Sequence, residues 1–239
     1  MDSPQVFDGL SKKLPACLRE LGRNNSSAWF HAHREAYQRR VVAPLAALAE
    51  TLAPDMALLD GSLVKKLSRP QRDTRFSRDK SPYRTVMWFA FRRAQPDWTE
   101  YPAFFFEAGP DRCRWGMGYY AARPATMSAL RDIVLEDPER LLRAKAVAAG
   151  RGFALEGELY KRPPPVPVGT PEEITDLTRR RNVFLSRTMG YEAPVSSREL
   201  AEVLAADFTA LDALYRLFCM ASERSQARIA WSGRSELQH

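Results

Sequence analysis

The chain has 239 residues, 45% of them apolar and 27% charged, a mixture that fits one large soluble globular domain or two small ones. Lys and Arg number 36 against 29 Asp and Glu, a formal charge of +7, so any partner recognised through charge is expected to be anionic. The three cysteines (Cys17, Cys113, Cys219) argue against a disulfide scaffold or structural zinc and point to a reducing, cytoplasmic compartment; no apolar run nears the roughly 18 residues of a membrane span, and Met1-Asp2-Ser3-Pro4 opens no signal peptide, so no membrane association is expected.

Leu14, Leu18 and Leu21 predict a short first helix with Pro15 in its first turn, stopped at Gly22 to Asn25. Ser26 or Ser27 then caps a long second helix whose apolar stripe is Phe30, Tyr37, Val41, Leu45, Leu48 and Leu52, with a kink or break predicted at Pro44. Short aromatic-rich runs at 56–59, 65–67, 86–91, 103–107 and 112–120, parted by Pro, Gly and Asp, predict strands of a mostly antiparallel sheet. Helices follow at 125–135 and 138–148, the second with Asp137 as N-cap and Pro138 behind it. Pro163, Pro164, Pro165 and Pro167 predict an extended polyproline II connection, and Thr170 with Glu173 fits a capping box. After a strand at 183–186, one amphipathic helix is predicted over 197–224, and 225–239 lacks periodicity and reads as a flexible tail. The expectation is an α+β fold, a central mostly antiparallel sheet flanked by long N-terminal and C-terminal helices, in a single domain over 1–224.

The charge is concentrated. Residues 65–93 hold ten basic side chains and two acids, +8 in all, which leaves the remainder at −1. Within this segment Arg69, Arg72, Asp73, Arg75, Asp79, Lys80 and Tyr83 are the candidate ligand-binding residues. If 72–76 is extended, Arg72, Thr74 and Phe76 share one face and Asp73 and Arg75 the other, so Phe76 is expected to anchor in the core while Asp73 orients Arg75. Convergent Arg, Lys and Tyr donors suit a phosphate or carboxylate. Three readings of these residues stay open: an internal ion-pair network, an anion site, or an enzyme with Asp73 or Asp79 as general acid or base.

The run from Arg69 through Arg72, Asp73, Arg75, Phe76, Asp79 and Lys80 to Tyr83 resembles the signature of the domain-of-unknown-function family DUF2461, found mainly in bacteria. Asn24, Asn25, Trp29, Phe30 and Tyr37 look like that family's N-terminal motif, and 159–163 is similar to its later Leu-Lys-Arg-Pro segment. Here Pro70 replaces an apolar residue, Tyr160 is inserted, and prolines stand where Gly-Phe commonly follows. The resemblance spans about residues 14–220 and implies a single unit but no reaction, because the family's biochemical function is unknown.

Other signals are weaker. His31 and His33 stand two apart, which on a helix points them away from each other, and His239 ends the predicted tail, so no metal is expected. Glycine-rich nucleotide cradles and the nucleophile elbow are missing, and no cofactor is expected. The aromatics Trp88, Phe89, Phe91, Trp98, Phe104, Phe105 and Phe106 near the basic segment read as core, which leaves nucleic-acid binding as a lesser alternative to a small anionic ligand.

Overall fold

The structure, a computed structural model, describes residues 7–236, and of 232–236 the backbone alone; Met1-Asp2-Ser3-Pro4 and His239 lie outside the described residues. Helix α1 (Leu14–Arg23) has Pro15 in its first turn and buries Leu14, Cys17, Leu18 and Leu21. Its end is closed by Asn24, whose side-chain amide donates to the Glu20 carbonyl at 3.0 Å. Helix α2 (Ser27–Tyr37) starts where Ser26 accepts the Trp29 N–H at 3.3 Å, satisfying one orphan donor of the first turn.

Pro44 does perturb the second helix, and it does so by widening it. Residues Gln38–Val42 form a π-helical turn in which Ala43 N–H donates to the Gln38 carbonyl, five residues back. Proline at 44 has no N–H to give the Arg40 carbonyl and crowds it, and the inserted turn relieves that conflict. Helix α3 (Ala43–Leu59) then continues through Pro54. The strand expected at 56–59 is therefore the last turn of α3: Met56 extends the buried stripe of Leu45, Leu48 and Leu52, and burial overrides the local proline signal. The continuous helical stretch Ser27–Leu59 holds an 18-residue window of mean hydropathy 1.4 and is by length and composition long and apolar enough to cross a membrane. Leu45, Leu48, Ala49 and Leu52 are fully buried within the protein, which is what a core helix requires.

The sheet has six antiparallel strands: β1 (Leu63–Leu67), β2 (Met87–Arg93), β3 (Ala103–Ala108), β4 (Cys113–Gly118), β5 (Ala154–Glu156) and β6 (Phe184–Met189), in the order β1-β2-β3-β4-β6-β5. Period-2 burial is plain in β2, where Met87, Phe89 and Phe91 point inward. Strand β6 approaches β4 so closely that a Cβ on Gly116 would lie 1.8 Å from the Leu185 carbonyl oxygen and one on Gly118 would lie 2.3 Å from Phe184 Cα. Only glycine admits that approach.

The remaining helices are α4 (Pro124–Glu136), α5 (Pro138–Gly150), α6 (Glu172–Thr178), α7 (Glu199–Ala210) and α8 (Asp212–Glu236). Asp137 caps α5 as expected, accepting the Arg140 N–H at 3.1 Å. The expected capping box at α6 does not form: Pro171 holds the N-cap position, and the Thr170 hydroxyl donates instead to the Pro167 carbonyl at 2.7 Å. The single helix expected over 197–224 is two, broken at Leu211, whose N–H reaches the Phe208 carbonyl three residues back. The expected tail from Ser225 onward is instead helical through Glu236. Polar contacts with α4 hold it: Arg224 donates to Glu136 at 2.8 Å, Arg228 to Asp132 at 2.7 Å, and the Thr126 and Ser225 hydroxyls meet at 3.3 Å. Such contacts leave no trace in apolar periodicity.

The fold is α+β. The chain divides into two compact units, each made of separated stretches. The first comprises the described part of Met1–Phe91 with Phe105–Trp115 and Thr188–Ala206; within it Phe106 stacks between Phe89 (5.3 Å) and Trp115 (6.1 Å). The second comprises Arg92–Phe104, Gly116–Arg187 and the described part of Asp207–His239; there Phe104 meets Phe208 and Tyr215, and Tyr119 stacks on Phe218.

Candidate functional site

The charged motif is an irregular loop between β1 and β2. A single antiparallel bridge, Gln71 to Tyr83, closes it, reinforced by Arg72 N–H to the Pro82 carbonyl and Arg84 N–H to the Pro70 carbonyl, both 2.8 Å. Its base is pinned to the turn before α2 by one side chain. The Asn25 amide donates to the Tyr83 carbonyl and accepts the Tyr83 N–H, each at 2.9 Å, which copies a backbone ladder pair. Tyr83 itself is buried, its ring stacked on Phe30 at 4.1 Å.

Inside the loop each of the two acids is paired with an arginine. Arg72 pairs with Asp79 and donates to Ser77 at 3.3 Å. Arg75 holds Asp73 through Nε and Nη2, at 3.0 and 2.7 Å, and its N–H reaches the same carboxylate at 3.2 Å. Lys80 caps the Thr74 carbonyl at 3.0 Å. Asp79 accepts the Ser81 hydroxyl (2.6 Å) and N–H (2.9 Å), a local Asx turn. The Arg75 side-chain donors, then its N–H, pull Asp73 down to about 2. The Ser81 hydroxyl and N–H, followed by Arg72, hold Asp79 well below the usual carboxylate range. Both acids are locked in the ionised form.

The expectation of an extended 72–76 with Phe76 in the core is overturned. Those residues form no strand, and Phe76 is 95% exposed at the loop tip, with the Arg75 guanidinium 5.8 Å from its ring centroid. Asx and side-chain-to-backbone bonds of short range define the loop, and they compete successfully with a strand ladder. The structure thus brings Arg72, Asp73, Arg75, Asp79 and Lys80 together as pairs within one loop, places Tyr83 apart on Phe30, and leaves Arg69 and Arg78 exposed with no partner among the described residues.

A cavity of about 240 Å³ lies beside the base of this loop. Phe30, His31, Arg34, Tyr37 and Gln38 of α2 and the π-turn form one wall, and Pro70 and Gln71 form the other. His31, Arg34 and Gln38 fall at spacings of three and four and so share a helix face. Phe30 and Tyr37 give it an aromatic floor, packed edge to face at 5.2 Å. Tyr37 is fully buried, its hydroxyl lacks a hydrogen-bond partner, and burial, with the Cys17 thiol nearby, raises that hydroxyl above its ordinary pKa. Arg34 is exposed and has no side-chain partner among the described residues, and no lining residue is acidic. A wider depression of about 670 Å³ continues from Arg34 and Gln38 to Glu35, Arg39 and Ala43.

The sequence reading missed this cavity, although the one-face spacing of His31, Arg34 and Gln38 and the Pro44 signal for a distorted helix were both present. The paired His31 and His33 part company: His33 stacks on Trp29 at 4.1 Å, with Nδ1 2.8 Å from the Trp29 carbonyl oxygen. The aromatics near the basic segment are mostly core, with Phe89, Phe91, Phe104 and Phe106 buried. Among the described residues no group of three His, Cys, Asp or Glu is placed to hold a metal ion.

Comparison with known proteins places the chain in one family. It matches the family described as conserved hypothetical protein (DUF2461) over residues 15–217 and belongs to it. No curated protein matches the chain.

Proposed function

We propose that this member of a family without an assigned activity binds a small anionic ligand, a phosphate or carboxylate on a compact and partly apolar body, in the cavity between α2 and the Pro70–Gln71 bend. The observation that carries the reading is the cavity lining: an unpaired guanidinium (Arg34), an imidazole (His31) and two side-chain amides (Gln38, Gln71) over two aromatic rings, with no carboxylate. Such a lining attracts an anion electrostatically and offers donors to its oxygens. At about 240 Å³ the cavity is slightly smaller than the roughly 300–1,000 Å³ usual for drug-sized ligands, which favours a small one. The motif loop supplies the opposite wall, and its Arg72, Arg75 and Lys80, being engaged internally, shape the site more than they contact the ligand. Three free, buried thiols suit a cytoplasmic setting.

Catalysis by Asp73 or Asp79 draws less support. A general base works best with a pKa near the operating pH, and these carboxylates are held far below it. One observation favours nucleic acid as a second reading: Phe76 is displayed beside Arg75 and the exposed, unpaired Arg78, a basic tip with a ring free to stack on a base.

Isothermal titration with inorganic phosphate and phenyl phosphate tests the first reading. Both should bind, phenyl phosphate more tightly because of Phe30 and Tyr37; Arg34→Gln should abolish binding, and Arg75→Ala should leave it intact. Absence of binding at millimolar ligand, or equal loss in the two variants, overturns it. Length-dependent binding of an oligonucleotide that Phe76→Ser removes would promote the second.

A further inference from the structure

The anion cavity is one end of a longer groove. The wider depression of about 670 Å³ shares Arg34 and Gln38 with the cavity and adds Glu35, Arg39 and Ala43, so one continues the other along the helix. A second guanidinium therefore faces the space into which a ligand held at Arg34 would extend.

The helix geometry at this point is unusual. Residues five apart on a regular α-helix point about 140° away from each other, at 100° per residue. From Gln38 to Val42 the turn is π-helical, and there each residue turns through less than 100°, which brings Arg39 closer to the Arg34 face. Both side chains line the depression. Glu35 and Arg39 have the i, i+4 spacing of a helical ion pair, yet no such pair forms. The π-turn that Pro44 brings about thus lies where two cations share one groove.

These charges are open to a ligand. Arg34 and Arg39 are both exposed, and neither side chain has a hydrogen-bond or ion-pair partner among the described residues. Each can take a phosphate or carboxylate through its planar fork. Five residues at 1.5 Å rise put the two side chains about 7–8 Å apart along the helix, the separation of two phosphorus atoms joined through about five atoms. A three-carbon chain phosphorylated at both ends has that linker. Glu35, exposed and likewise without a partner, lines the same depression. Its carboxylate accepts hydrogen bonds and repels further negative charge, which selects a neutral, hydroxyl-bearing body between the two anionic groups.

We infer, on the reading that the cavity holds an anion, that the groove takes a small polyol with an anionic group at each end. One group sits in the cavity on Arg34, a hydroxyl of the body donates to Glu35, and the second group lies on Arg39.

The test is isothermal titration at low salt with propyl phosphate and with the terminal bisphosphates of two-, three-, four- and six-carbon diols. Affinity should peak at three or four carbons, about fivefold above propyl phosphate, whereas two identical heads give only about twofold by statistics. Arg39→Gln should bring that peak down to the statistical gain and leave propyl phosphate unchanged, and Arg34→Gln should abolish binding of both. Glycerol phosphorylated at both ends should bind more tightly than the three-carbon diol bisphosphate, and Glu35→Ala should erase the preference. All three variants replace exposed side chains and should keep the parent's circular dichroism and melting temperature. Propyl phosphate that binds with no more than the statistical gain from a second head overturns this inference and leaves the cavity reading standing. So does an Arg39→Gln variant that weakens propyl phosphate and bisphosphate equally, or a glycerol hydroxyl that adds nothing. Absence of propyl phosphate binding at millimolar concentration overturns the cavity reading and this inference with it.

Discussion

Asp207 offers the sharpest stability test. Its side chain is 0% exposed, and it meets two guanidiniums: Arg151 at the end of α5, Nε at 2.5 Å, and Arg187 on β6, Nη1 at 3.1 Å. Breaking a buried ion pair by removing one partner costs about 3–5 kcal/mol, because a desolvated charge is left behind. The side chains of Arg151 and Arg187 are 37% and 27% exposed, so on loss of the carboxylate they can turn toward water. That places Asp207→Ala at the lower end, about 3 kcal/mol, or a melting temperature lower by about 6–12 °C in a protein of this length. Arg151→Ala leaves the carboxylate with Arg187 and removes one charge-assisted bond, at about 1.5–3 kcal/mol. Urea unfolding is the suitable assay, since guanidinium chloride would screen the interaction under study. An Asp207→Ala protein within about 0.5 kcal/mol of the parent, the range of ordinary surface substitutions, would refute the reasoning.

Phe76→Ser should alter unfolding free energy by no more than about 0.5 kcal/mol, since a ring 95% exposed has almost no burial to lose; a loss of several kcal/mol in urea would put Phe76 back in the core. Asp73 has its folded-state pKa lowered from 3.8 to about 2, so its contribution to loop order is fully present above the unfolded value and disappears as pH falls through about 2. A carboxyl-carbon titration should place its midpoint there, with Asp79 lower still; midpoints near 3.8 would mean the pairs do not form in solution. Burial pushes the Cys113 thiol up to about 12, so iodoacetamide at pH 8 should modify it only in the unfolded protein, and rapid labelling of the native chain would contradict its placement.

Elements governed by local rules were legible. The Leu14, Leu18, Leu21 stripe, the Ser26 cap, the alternation of β2 and the Asp137-Pro138 start of α5 are written in neighbouring residues, and each appears where its pattern places it. Legibility failed where distant residues decide. Met56 stays helical because it completes a buried stripe, against the signal of Pro54, and the C-terminal half of α8 is held by Arg224 and Arg228 reaching acids on α4. Strand β5, three residues long, exists through its pairing with β6, Ala154 opposite Ser186 and Glu156 opposite Phe184, and no pattern that short identifies a strand by itself.

At the candidate site the same division explains what was misread. Six cations and two acids in residues 69–84 look like a site in composition, and the alternation of Arg72, Thr74 and Phe76 looks like a strand. Yet Asp73 with Arg75, and Asp79 with Ser81, stand two residues apart, the spacing at which a short acid bonds the following backbone and sustains a turn. Once those turns form, Phe76 is held out at the loop tip, and both acids are paired, Asp79 with Arg72 and Asp73 with Arg75. Part of the charge in the sequence therefore goes into ordering the loop. Arg69 and Arg78 stay unpaired within the loop, and further unpaired groups lie where the sequence looked plain: His31, Arg34 and Gln38 on one helix face, set beside Pro70 and Gln71 where Asn25 clasps Tyr83 and the Tyr83 ring stacks on Phe30. If that reasoning holds, Asn25→Ala should weaken phosphate binding although Asn25 does not line the cavity. Weaker phosphate binding in an Asn25→Ala protein that keeps the parent's circular dichroism is the expected outcome; unchanged affinity in Asn25→Ala would mean that the cavity does not depend on the clasp.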